Sequence, residues 1–128
     1  MEKERYAEIK GMEKIYEAEP EFSFWGIFHH ILFLQAEIVQ NRNTGELEKS
    51  VILELENMDH SIRVKLLFEG VSLFYMAGLE AVDGFDIDHN PDYEFDLEKK
   101  YMIIDYASNA ISFYCREIEV LEAEKKAA

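Results

Sequence analysis

The sequence predicts a mainly β (α+β) domain: a single antiparallel curved sheet, or a small sandwich or partial barrel, with a helix at its N-terminus. Three observations carry this. Two adjacent runs, Val51–Asn57 and Ile62–Glu69, each alternate apolar and polar residues around a four-residue gap. A second such pair, Met102–Tyr106 and Ile111–Cys115, lies near the C-terminus. Helical spacing is confined to the first eighteen residues.

The first pair is the most specific. Strict alternation is the pattern of a half-buried strand, and Met58-Asp-His-Ser61 has the length of a hairpin loop. Opposing Asn57 to Ile62 sets Leu55 against Val64, Leu53 against Leu66 and Val51 against Phe68 on one face. On the other face Glu56 meets Arg63, Glu54 meets Lys65 and Ile52 meets Leu67. Each pair is chemically matched, at roughly 0.2–1 kcal/mol apiece. A slip of one residue turns charge toward the core.

Residues 1–18 read as an amphipathic helix, with Tyr6, Ile9, Met12 and Tyr16 at helical spacing, interrupted by Gly11 and ended by Pro20. An antiparallel meander is expected over 22–121. It opens with the aromatics Phe22, Phe24, Trp25, Phe28 and Phe33, with Gly26 as a bulge candidate. From Ile31 a long strand runs to the turn Asn41-Arg-Asn-Thr-Gly45. Val71–Met76 forms a separate short apolar run after Gly70, and residues 83–98 alternate again. In the last hairpin a two-residue turn at Ser108-Asn109 opposes Ile104 to Phe113 and Met102 to Cys115, with a longer loop as the alternative. Ile118 and Val120 extend that strand, and 122–128 is expected to be a frayed tail. No repeat, linker or low-complexity tract divides the chain, so one domain is expected.

Net charge bounds the partners. The formal charge is -14, with 27 Asp and Glu against 13 Lys and Arg. Such a chain repels nucleic acid and anionic membranes and attracts basic partners or cations; solubility alone is the competing reading. Cys115 is the only cysteine, which fits a reducing compartment. The charged N-terminus carries no apolar signal core and no run reaches the length of a spanning helix, so a cytoplasmic protein is expected.

The most pointed local feature is Asp83-Gly-Phe-Asp-Ile-Asp-His-Asn-Pro-Asp-Tyr-Glu-Phe-Asp96. Its offsets imitate a calcium loop, but Pro91 stands where that loop needs glycine and Leu97 where it needs a bidentate glutamate. The alternation of Phe85, Ile87, Tyr93 and Phe95 favours a strand with Asp83, Asp86, Asp88, Asp92, Glu94 and Asp96 as a surface for a basic protein. A solvated strand face is the plainer alternative.

His29 and His30 are adjacent and point to opposite faces of a strand, so they do not pair as metal ligands. His60 lies in the hairpin loop and His89 in the acidic segment. Cys115 sits on an apolar strand face and reads as a small buried hydrophobe. Trp25 and its neighbouring phenylalanines read as core, or with His29 and His30 as the mouth of a small-molecule pocket. The sequence contains no phosphate-binding glycine loop, nucleophile elbow or paired-cysteine motif, and no cofactor is expected.

Phe24-Trp25-Gly-Ile-Phe-His29-His30, then Val64-Lys-Leu-Leu-Phe-Glu-Gly-Val71, then Ile111-Ser-Phe-Tyr-Cys-Arg-Glu-Ile-Glu-Val120 together resemble small acidic bacterial sheet proteins, several of them grouped with immunity proteins of polymorphic toxin systems. The resemblance implies a non-enzymatic protein that binds and blocks a toxin, and it brings no catalytic residues. The sequence reading is therefore a non-catalytic binding domain that occludes a basic partner. The alternatives are a small-molecule binder or minor enzyme with a pocket at Trp25, His29 and His30, and a homo-oligomer joined through the N-terminal helix or a strand edge.

Overall fold

A computed structural model describes residues 9–77, 84–89, 100–107 and 109–126. Helix α1 (Met12–Ala18) is followed by a 3-10 turn at Trp25–Ile27 and seven strands. These are β1 (Phe28–Gln40), β2 (Leu47–Asn57), β3 (Ile62–Met76), β4 (Phe85–His89), β5 (Tyr101–Asp105), β6 (Ile111–Cys115) and β7 (Glu117–Lys125). They form one antiparallel, open, curved sheet in the order β1-β2-β3-β6-β5-β4, with β7 also paired to β3.

The β2–β3 hairpin has the expected register: Leu55 opposes Val64, Leu53 opposes Leu66 and Val51 opposes Phe68, with Glu56–Arg63, Glu54–Lys65 and Ile52–Leu67 on the other face. Its loop is closed by side chains. Asn57 Oδ1 accepts from the Ile62 N–H at 2.9 Å, and Asp59 Oδ1 accepts from the Ser61 N–H and hydroxyl. The β1–β2 turn at Asn41–Gly45 also stands, with Asn41 Oδ1 accepting from the N–H of Asn43 and of Thr44. Such Asx contacts supply the backbone partners that the strands cannot.

Strand β3 spans both halves of the sheet. Val71–Met76 is not a separate run but the continuation of β3 past a bend at Gly70, whose φ is +65°. A Cβ there would meet Arg116 Nη1 at 2.9 Å, and L side chains are strained at that φ. Before the bend, β3 pairs β2 and β7; after it, β3 pairs β6. Across from the bend, β6 gives way to β7 at Arg116, whose N–H bonds to Glu69 O at 2.9 Å. The expected extension through Ile118 and Val120 is thus a distinct strand.

Three further expectations change. The expected helix is not continuous over 9–18: Gly11 takes a φ of +81° before Met12–Ala18, while Lys10 makes a parallel bridge to Glu119. Residues 1–8 lie outside the described residues. The expected tail is not one through Lys125, because Glu122–Lys125 pair with β3, Lys65 opposing Glu122 and Arg63 opposing Glu124. The alternating acidic stretch forms strand β4 over Phe85–His89, as expected; Asp83, Asp92, Glu94 and Asp96 lie outside the described residues.

In the last hairpin Ile103, not Ile104, opposes Phe113, and Tyr101, not Met102, opposes Cys115. The reason is Asp105. It is fully buried, and its carboxylate accepts from the N–H groups of Gly84 (2.9 Å), Ala107 (3.1 Å) and Ala110 (3.3 Å). A strand residue that gathers three backbone donors sets its own side inward, so Tyr101 and Ile103 share the core face with it.

The core is continuous from Ile9, Met12 and Ile15 on the helical side to Phe85, Ile87 and Ile103 at the far end of the sheet. Trp25 is fully buried and packs edge-on to Phe22 at 5.1 Å and tilted to Phe28 at 6.0 Å. Aromatic pairs at such separations add about 0.5–1.5 kcal/mol beyond their burial. Cys115 is buried as expected.

Candidate functional site

Alternation in β4 turns Phe85 and Ile87 into the core and leaves Asp86 and Asp88 half-buried on the other face. Register then decides what lies beside them. Directly opposed residues share a face, so Asp86, Ile104, Ser112 and Tyr75 make one row across the sheet, and Asp88, Met102, Tyr114 and Ser72 the next. Each row crosses four strands and spans about 14 Å. The result is a sheet face with carboxylates at one end, the apolar side chains of Met102 and Ile104 in the middle and two tyrosines beyond. Tyr106, which is exposed, donates its hydroxyl to Asp88 Oδ2 at 2.9 Å. Asp86 Oδ1 accepts from the Ile87 N–H at 2.9 Å.

The charge around this face is lopsided. No lysine or arginine occurs in the sequence between Lys65 and Lys99, while acidic residues continue throughout that interval. Lys100 stands at the start of β5, 5.6 Å over the Tyr101 ring. The other half of the sheet is different. There Arg63 pairs with Glu124 and Glu54, Arg116 with Glu48, Lys125 with Glu19 at 2.7 Å, Lys10 with Glu117 at 3.8 Å and Lys126 with Glu56 at 3.6 Å. Hydrogen bonding to Glu124 holds the Arg63 guanidinium above its usual range, and Glu48 does the same for Arg116. The Lys125 ammonium, bonded to Glu19, is likewise raised and the Glu19 carboxyl lowered. The Asp59 carboxyl is lowered by the Ser61 hydroxyl and N–H.

The expected pocket residues disperse. Trp25 belongs to the core, so it lines no binding mouth. His30 leaves the pocket for a stack: its ring lies 4.7 Å from that of His60, nearly parallel at 10°. His60 Nδ1 shares a hydrogen bond with Glu56 Oε1. Burial pushes the Glu56 carboxyl up, but the His60 hydrogen bond and the Lys126 charge outweigh it and hold the group below its usual value. His29 is half-buried beside a register shift in β1. Parallel imidazoles do not converge on one ion, and no group of three or more metal-ligating side chains occurs among the described residues.

Two surface grooves are described, and neither contains Trp25, His29 or His30. The larger, about 820 Å³, lies between α1 and strands β3 and β7. Its walls alternate charge and contain the Arg63 ion pairs, so its polar groups already answer one another. A ligand pocket is instead mostly apolar with a few convergent polar groups. Among the described residues no helix is long and apolar enough to cross a membrane.

The tyrosines and the methionine of the β4–β5–β6 face were not singled out from sequence, because their convergence depends on a register that Asp105 reverses. The gap in Lys and Arg after Lys65 was a readable signal for the same region. Compared with protein-family models, curated proteins and solved structures, the chain matches none.

Proposed function

We infer that this is a non-catalytic binding domain whose acidic sheet edge engages a basic protein, in the manner of an immunity protein that occludes a toxin. The observation that carries the reading is the face over β4, β5 and β6. Asp86 and Asp88 lead onto Met102, Ile104, Tyr75 and Tyr114, and the sequence between Lys65 and Lys99 holds no lysine or arginine. Tyrosine and methionine are enriched at interface centres, and an excess of surface carboxylates speeds encounter with a basic surface. Binding through such a face needs no bond-making group. A cytoplasmic setting goes with this reading, since the single cysteine asks for no oxidising compartment.

The test is affinity capture from host extract at low and high salt. The wild type should retain a basic protein at low salt and lose it as salt rises. A triple variant, Asp86→Asn, Asp88→Asn and Asp92→Asn, should lose it at low salt as well. Capture that ignores salt and survives the triple variant contradicts the reading.

A further inference from the structure

The two ends of the sheet are built on opposite principles. Among the described residues β4 ends the strand order; it is five residues long and carries Asp86 and Asp88 outward, charge of the kind that resists strand pairing. β1, at the other end, is thirteen residues long and carries one charge, Glu37, with no proline and no lysine. Its register shifts fall at Phe28/His30 and Ile31/Phe33; from Phe33 to Gln40 it pairs with β2 without interruption. Among the described residues its other edge has no partner strand. Leu32, Phe33 and Ile38 are exposed there, Ile38 at 62%.

We propose that β1 is a dimerisation strand, pairing antiparallel with β1 of a second copy about a two-fold axis at Ala36. The match is internal to the strand. A two-fold at Ala36 opposes Leu34 to Ile38 and Ala36 to itself on one face, and Phe33 to Val39 and Gln35 to Glu37 on the other. The single carboxylate meets an amide rather than its own copy. The charge of the whole chain points to the same occupant. Two molecules of charge -14 repel, and among the described residues they meet at least cost along β1, an edge strand with one charge in thirteen residues. β1 and β4 lie at opposite ends of the strand order, so joining two β1 strands sets both acidic edges at the far ends of one continuous sheet. A basic foreign segment finds one carboxylate on β1 and is drawn to the β4 side instead. The contact is isologous and closes on itself, so it stops at a dimer.

Sedimentation equilibrium of the full chain, from micromolar to millimolar concentration, tests this. The wild type should be a reversible dimer. Ile38→Lys, which sets an ammonium against Leu34 of the copy, and Gln35→Glu, which sets two carboxylates together, should each weaken it about tenfold or more. Both positions are exposed, so unchanged circular dichroism should accompany the loss. Ala36→Cys should give an oxidation-linked dimer, since Cys115 is buried and does not compete. A wild type that stays monomeric throughout overturns the proposal and leaves the acidic-face reading standing. A dimer that persists in both variants and does not link through position 36 overturns it equally.

Discussion

Among the described residues each half of the sheet buries one carboxylate, and the two are satisfied by different means. Glu56, in the half built from β1, β2, β7 and the first part of β3, is answered by His60 and by the Lys126 ammonium. Asp105, in the half built from β4, β5, β6 and the end of β3, is answered by the backbone N–H groups of Gly84, Ala107 and Ala110. The same contrast runs through the surface. Five of the first half's cations or hinge cations hold carboxylates in ion pairs, whereas in the second half the Asp88 carboxylate accepts from the Tyr106 hydroxyl and that of Asp86 from the Ile87 N–H.

Removing the backbone-held carboxylate should cost most. Asp105→Ala leaves three backbone donors in a partly buried loop, and each unsatisfied donor costs about 1–3 kcal/mol before water enters. Allowing for that hydration, the net loss should be about 2–4 kcal/mol, read from denaturant midpoints. Asp105→Asn keeps an acceptor and should lose less. A neutral Asp105→Ala would mean that the loop is held by something else and that the two carboxylates do not differ as described.

Glu56→Gln should cost about 1–2 kcal/mol near neutral pH, through the weakened contacts to His60 and Lys126. Its pH dependence is the sharper test. A carboxyl held below its unfolded value of about 4.5 contributes stability above that value and loses it as pH falls through the lower folded value. Wild type and Glu56→Gln should therefore converge in stability at the acid end and separate as pH rises past 4.5. A constant gap across that window would show that no charge is at work.

The smallest effect is expected at the acidic face. Asp88→Asn gives up half of a hydrogen bond with Tyr106 and relieves like-charge repulsion, so stability should stay within about 0.5 kcal/mol. A large loss would make Asp88 a structural residue and weaken the case for the face as a binding surface.

The β2–β3 hairpin was legible to the residue because both of its faces are patterned, apolar pairs on one and opposite charges on the other. The β5–β6 hairpin was not. Tyr101 and Ile103 are as apolar as Met102 and Ile104, so alternation alone does not choose between them. The choice is made by Asp105, whose hydrogen bonds come from Ala107 and Ala110 in its own hairpin and from Gly84, which is remote in sequence. The last strand was missed for the opposite reason. Glu122 and Glu124 look like a solvated tail, yet they lie across from Lys65 and Arg63, a charge match that the sequence does carry. The acidic residues of the candidate face were legible as a cluster; the tyrosines and methionine beside them required the register.

The most direct test of the central claim is a titration of isotope-labelled protein with a short oligolysine peptide at low salt, followed by amide chemical shifts. Shifts concentrated in β4, β5 and β6, and abolished by added salt, are the predicted result. Shifts centred on β7 and α1, or spread evenly over the sheet, would contradict it.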